Sequence, residues 1–532
     1  MFSPLRPNAA LNSAIISRPD LPSLDALDRI TIAYLTLPLV IFLLGWLEIW
    51  AALPLIACLA YSLRPLIAPW PTGDRTQPPI TSAQLTVAVL VGCGWTIFGG
   101  TGHLVFANFD WHIRDAVLHD LVTSTWPVGY GALDGKESIL RAPVAYFLPA
   151  ALVGKLTGLT FAHAAMAGWT AAGAILFLLQ VLSLIPSRAG IAVMVTVAAM
   201  VVLFSGLDIV GSILNGGPRF IANWHIGSHL EWWAGRYQYS SMTTQLFWVP
   251  NHALGAWLTI GLLCRHKLAT HLDSMLLIIV VAAALWSPLS AIGIVPFVLW
   301  DVISRMARQR SFSLFHPRVW APALLVGLVI AAYLTLDPSR IPKGWSLGEG
   351  GGSPALDLLR QAQFFLLEAG FIGAAILAIR RSSQVVLALV ILALLPFAYF
   401  GAGNDLVMRA SIPSLTLLAI GACLALFGEP LDKSGLGKKA VLGGLLLIGA
   451  VTPIEEFARA IVLPAWPINL QATLVAADCG RYPANYVARL GQEPIRYLLR
   501  SPHRLALAPI RAQDCDNPAD TLMRKNGLLG PR

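Results

Sequence analysis

The chain has 532 residues, 56% of them hydrophobic and only 12% charged, with a net charge of +9 at pH 7 and a mean hydropathy of +0.68. A soluble globular chain carries about a quarter charged residues, so this composition argues against a water-soluble domain and for an integral membrane protein. Lys and Arg come in small groups between apolar runs and not in one patch interleaved with aromatics, which argues against nucleic acid as a partner.

Residues 1–26 carry Arg6, Arg18, Asp20 and Asp25 with no apolar core, so no cleavable signal peptide is expected. Apolar runs of spanning length follow near 27–46, 48–63, 82–99, 161–184, 190–212, 245–263, 273–287, 289–304, 319–336, 362–379, 384–400, 414–428 and 439–457. The expected fold is an all-α polytopic membrane protein with about 13 transmembrane helices. The basic loops at Arg64 and Arg75, Arg188, Arg265 and Lys267, Arg305 to Arg318, Arg380 and Arg381, and Lys433 to Lys439 then face the cytoplasm. That puts the N-terminus inside, and places 100–141, 213–244, 337–361 and the tail from about 458 outside. The segment 142–158, short and holding Pro143, Pro149 and Lys155, is expected to be a re-entrant or interfacial helix. The short pair 273–287 and 289–304, joined at Ser287 and Pro288, reads as a tilted hairpin. No repeat of 20–50 residues and no inverted repeat is visible.

Four groups of residues could carry chemistry. The first outer loop packs Asp110, His112, Arg114, Asp115, His119 and Asp120 into eleven residues. His112, Asp115 and His119 share a helical face, and Asp110 stands at the helix entrance, where it could also be a simple cap. In the second outer loop, His225, His229 and Glu231 could be metal ligands, although no HExxH motif occurs and Gly227 weakens a helix. Trp224, Trp232, Trp233, Tyr237 and Tyr239, with Gln238 among them, form either an interfacial belt or a platform for a sugar ring. Near a membrane boundary stand Asn404, Asp405 and Arg409; Arg409 either snorkels or meets Asp405 or a lipid phosphate. Lys155, Arg219, Arg340 and Lys343 are further phosphate candidates. Cys58, Cys93, Cys264 and Cys423 sit in or beside apolar runs as small fillers, whereas Cys479 and Cys515 fall in the tail on the oxidising side and are expected to pair.

The segments FANFDWHIRDAVLHDL, WPVGY, PVAYFLPAALVGKLTG, EWWAGRYQYSSMTTQLFWVPNH and NDLVMRASIP together resemble the GT-C superfamily of lipid-linked-sugar glycosyltransferases, over about residues 90–430. The resemblance implies a polyprenyl-phosphate sugar donor, an outer-side acceptor that is a glycan, lipid or protein, and inversion at the anomeric carbon. It makes Asp110 the general base, with His112 and Asp115 orienting it. Arg409, with Arg219 and Lys155, would bind the donor phosphate. Glu231, Trp232, Gln238, Tyr239, Asn404 and Asp405 would line the substrate. A divalent cation, Mg or Mn, would sit among Asp110, His112, His119 and Asp120. The adjacent acidic pair or DxD of parts of that superfamily is replaced here by Asp-x-His. The rival readings are a membrane transporter or lipid flippase, a polymerase or ligase of surface polysaccharide, and a scaffold. The location expected is the bacterial cell inner membrane.

Overall fold

The computed structural model describes residues 24–67, 79–186, 189–265, 273–309, 316–348, 353–428, 435–491, 493–505 and 515–528. Arg6, Arg18, Asp20, Arg75, Arg188, Lys267, Arg310 and Lys433 lie outside the described residues. The chain is mostly helical, 71% helix and 5% strand. Among the described residues, eight helices are long and apolar enough to cross a membrane.

A capping box of Asp25 and Asp28 starts α1 (Ala26–Trp46), and α2 (Ile49–Leu63) returns after a two-residue turn. Thr81 and Gln84 form a second capping box on α3 (Ser82–Phe98). Then come α4 (Asp110–Thr123), the strands β1 (Val128–Leu133) and β2 (Lys136–Leu140), α5 (Leu148–Thr157) and α6 (Leu159–Ser183). Ten residues make α5 about 15 Å long, half a hydrocarbon core. Gly158, at φ 98°, turns it directly into α6. The expected span 190–212 is two elements, because helix stops at α7 (Ile191–Val202) and restarts at α8 (Asp208–Asn223), which kinks at Gly217.

Next are α9 (Met242–Trp248), α10 (Pro250–Arg265), α11 (Asp273–Trp286), α12 (Pro288–Gln309), α13 (Pro317–Leu334) and β3 (Lys343–Trp345). A π turn, Leu366–Gly370, joins α14 (Pro354–Phe365) to α15 (Phe371–Ile379). After α16 (Ser383–Leu394) and β4 (Ala398–Phe400) come α17 (Asp405–Ala410), α18 (Ile412–Phe427), α19 (Leu436–Gly449) and α20 (Val451–Val462). The tail adds α21 (Leu474–Ala477), β5 (Val487–Arg489), β6 (His503–Arg504) and a last helix, Pro518–Lys525.

Helix α10 stands inside the bundle, with every residue buried except His252 and Cys264. At one end of it Arg265 pairs with Asp28 at 2.9 Å and Asp25 at 2.6 Å, and nearby Arg305 pairs with Asp273 at 2.7 Å and Asp301 at 2.9 Å. Arg265 and Arg305 are therefore buried helix clamps, not solvated loop charges. The other end carries the long loops, which the all-α expectation left without strands. There a four-stranded sheet runs β5-β2-β1-β6, built jointly by the first outer loop and the tail, and β3 pairs with β4. The tail is sewn down further by Glu48 N–H donating to Leu498 O at 2.8 Å and Arg500 N–H to Trp46 O at 2.9 Å. Among the described residues no disulfide joins Cys479 to Cys515, against expectation. Cys479 is exposed in a left-handed turn behind α21, while Cys515 precedes the last helix, whose cap residue Asn517 is bonded to Phe109 O.

Candidate functional site

The start of α4 is fixed by one carbonyl. Phe247 O accepts from Asn108 Nδ2 at 2.7 Å and from Trp111 Nε1 at 3.0 Å, while Asn108 Oδ1 accepts the Asp110 N–H at 3.1 Å. Phe109 lies edge-on to Trp248, with ring centroids 4.8 Å apart. These contacts hold Asp110 at the start of α4, with its side chain 32% exposed and its Oδ2 3.1 Å from the Arg114 guanidinium.

Arg114 is buried, its side chain 4% exposed, and its Nε and one terminal nitrogen have no hydrogen-bond partner among the described residues. A buried unpaired donor costs roughly 1–3 kcal/mol, more when charged, so folding alone gives no reason for it. On α17, Arg409 pairs with Asp405 at 3.3 Å, and its Nε has no hydrogen-bond partner among the described residues. Ser290 Oγ of α12 bridges α10 and α17, donating to His252 O at 3.2 Å and to Arg409 O at 3.1 Å. Gly293 lets α12 approach this close, because any Cβ there would strike Ala410 O.

Tyr486 of the tail feels both pairs electrostatically. Burial raises its hydroxyl pKa, Arg114 lowers it, Asp110 raises it, and Arg409 and Asp405 act in opposite senses, so all four charges lie within its electrostatic reach. Its loop is clamped from outside: Arg340 donates to Val487 O at 3.0 Å and Tyr482 O at 2.7 Å, and Arg141 donates to Ala484 O at 2.5 Å. Asp110 with Arg114 on α4, and Asp405 with Arg409 on α17, thus form two ion pairs, and the sequence assigned no role to Arg114 or Tyr486.

Other candidates take different positions. Asp115 is fully buried, 3.0 Å from His103 Nε2 and accepting from the Asn469 N–H at 3.3 Å, so it anchors the tail. Asp120 accepts from Tyr130 OH at 2.8 Å and the Leu474 N–H at 3.0 Å, with His119 beside it at 3.0 Å. Burial raises the Asp120 pKa, and those partners pull it back. The expected metal set is therefore divided, Asp120 holding the tail and Asp110 pairing with Arg114, and among the described residues no three His, Cys, Asp or Glu side chains are grouped to hold an ion. His112 is buried on α4. Lys155 donates to the carbonyls of Val122 and Ser124, closing the end of α4, and Arg340 is the tail clamp above. Arg219 is exposed on α8, and Lys343 reaches Pro338 O at 3.3 Å.

In the second loop, His229 bonds Glu456 at 2.7 Å and does not join His225. Trp248 Nε1 and Arg459 also donate to Glu456, each at 2.8 Å. Glu231 accepts from the Ser241 N–H at 2.8 Å and from Gln238 at 2.7 Å. Burial pushes the Glu231 carboxyl up to about 7, with His229 opposing and Asp208 and Glu456 adding to the rise. Trp232 is 42% exposed beside His229, whereas Tyr239 is buried and donates to Leu392 O. Asn404 bonds Arg236 O at 3.2 Å, linking this loop to α17.

Sequence reasoning missed two acids altogether. Asp208 and Glu368 are 1% and 2% exposed and face one another within hydrogen-bonding reach. Glu368 sits on the π turn, and Trp233 Nε1 donates to it at 2.7 Å. An acid inside an apolar run was the available signal. No protein-family model, curated protein or solved structure significantly matches the chain.

Proposed function

We propose that the protein is a glycosyltransferase of the bacterial cell inner membrane, resembling the GT-C superfamily, that moves a sugar with inversion from a polyprenyl-phosphate donor to an acceptor hydroxyl on the outer side. The observation that carries this reading is the buried Arg114, paired with the partly exposed Asp110 and keeping two donors unpaired among the described residues. Unpaired guanidinium donors suit the oxygens of a phosphate. An adjacent carboxylate suits the proton of an attacking hydroxyl.

In the reaction, the acceptor oxygen bonds to the anomeric carbon on the face opposite the phosphate. The anomeric carbon–oxygen bond breaks, and its electron pair leaves on the polyprenyl phosphate. Asp110 takes the hydroxyl proton, while Arg114 and Arg409 stabilise the charge that grows on the phosphate. A positioned base contributes about 10²–10⁴ in rate. Asp110→Asn, purified in normal yield, is therefore expected to lose sugar transfer by at least about 100-fold while still binding polyprenyl phosphate. Full transfer by that variant would remove Asp110 as the base.

A second reading, a transporter, is favoured by the Asp208 and Glu368 pair, since an acid on a spanning helix is what proton coupling uses. Proteoliposomes separate the two readings. Uptake driven by a pH gradient and lost in Glu368→Gln would support transport, and its absence alongside sugar transfer would support the enzyme.

A further inference from the structure

The bundle holds, beside the Arg265 end of α10, a cavity of about 510 Å³, within the range of roughly 300–1,000 Å³ typical of ligand sites. Its floor is cationic. Arg380 and Arg381 line it, both exposed, and neither makes an ion pair among the described residues. Between them and the wall lies the start of α16, where Ser382 caps the helix by accepting the Val385 N–H. Ser382, Ser383 and Gln384 all line the cavity, so the first turn of a twelve-residue helix faces it with its N–H groups and its positive dipole end. One acid is present, Asp301, and Arg305 holds it at 2.9 Å while also pairing with Asp273. The surplus charge is positive.

The wall is apolar and linear. Leu417, Ile420, Gly421 and Leu424 of α18 line the cavity at spacings of three, four and seven residues, a single stripe about 10 Å long. Gly421 sits in the stripe without a side chain, its Cα direction facing Val385 and Ile376 at ordinary contact distance. Trp300 borders the opening and is 41% exposed. Cys264, one of the two residues of α10 that are not buried, lines it too.

We infer that this cavity binds an anionic phospholipid. The phosphate rests on Arg380, Arg381 and the start of α16, and one acyl chain lies along the α18 stripe. The charged floor selects the headgroup; the stripe requires the chain. A free phosphate would use the floor alone, and a zwitterionic lipid would gain less from it.

Native mass spectrometry of the full chain tests this, with phosphatidylglycerol and phosphatidylcholine offered at equal concentration and inorganic phosphate as competitor. The expected result is preferential retention of phosphatidylglycerol, reduced about tenfold in the Arg380→Gln/Arg381→Gln double variant. Ser382→Asp keeps a good cap residue while placing a negative charge at the floor, so it should fold normally and lose the same preference. Gly421→Leu should lower retention by filling the wall. Equal retention of both lipids by the unaltered chain would overturn the proposal, as would phosphatidylglycerol binding undiminished by the double variant and by Ser382→Asp. Displacement by millimolar phosphate, with Gly421→Leu unaffected, would overturn the lipid assignment in favour of a bare phosphate site.

Discussion

Arg114 carries the sharpest consequence among single residues. A buried guanidinium with unpaired donors weakens the fold unless a ligand meets it, so Arg114→Met should leave the melting temperature unchanged or higher while weakening polyprenyl-phosphate binding by about tenfold or more. A melting temperature that collapses, with binding intact, would make the Asp110–Arg114 pair structural. Glu231 gives a prediction in pH. Its carboxyl is held at about 7 by burial against an ordinary 4.5, so the folded state keeps a proton that the unfolded chain gives up. Stability from this group is complete below about pH 4.5 and is lost progressively as pH rises toward and through 7. Melting curves of Glu231→Gln between pH 5 and 8 should be flatter than those of the unaltered chain; identical slopes would contradict the assignment. Asp110 and Arg409 stand out in the sequence because they are polar side chains beside apolar spans. The burial of Arg114 does not, since nothing in its neighbours says which face of α4 is covered. Asp115, His119 and Asp120 show the same limit: their spacing was legible, but the tail that covers them lies more than 300 residues away.

At the scale of elements, the loop 482–487 depends on two arginines that reach its carbonyls. Arg340→Ala should raise hydrogen exchange through 482–489 with little change in the spanning helices, because the lost bonds serve that loop alone. Unaltered exchange would mean that β5 and Arg141 suffice. Asp337 adds a second tie: its slight burial raises its pKa, but its bonds to Arg489, at 2.7 and 2.8 Å, outweigh that and hold the carboxyl below its ordinary value. The helices were legible because length and apolarity are local properties. The sheet was not, since β5 and β6 are three and two residues long and find their partners in 128–140. The break at 203–207 was hidden by apolar residues on both sides; only Gly206, where a Cβ would strike the Glu368 carboxyl, marks it.

Over the whole molecule, α10 ends at Arg265 among the buried clamps, on the side of the basic and apolar cavity, while the Asp110–Arg114 and Asp405–Arg409 pairs stand on α4 and α17. Composition alone foretold a mostly helical chain with apolar helices of spanning length, and the charge pattern assigned each loop an expected side of the membrane. Neither could foretell that the tail would fold into the first loop, because hydropathy does not record pairing between distant segments. The proposal that a lipid-borne phosphate docks at Arg114 and Arg409 is open to direct measurement with a photoreactive polyprenyl-phosphate analogue, followed by peptide mapping of the labelled protein. The expected labels fall on peptides containing Arg114, Arg409 or Tyr486 and disappear when excess polyprenyl phosphate is added. Labels confined to the Arg380–Val385 turn, or scattered over lipid-facing helices and indifferent to the competitor, would contradict it.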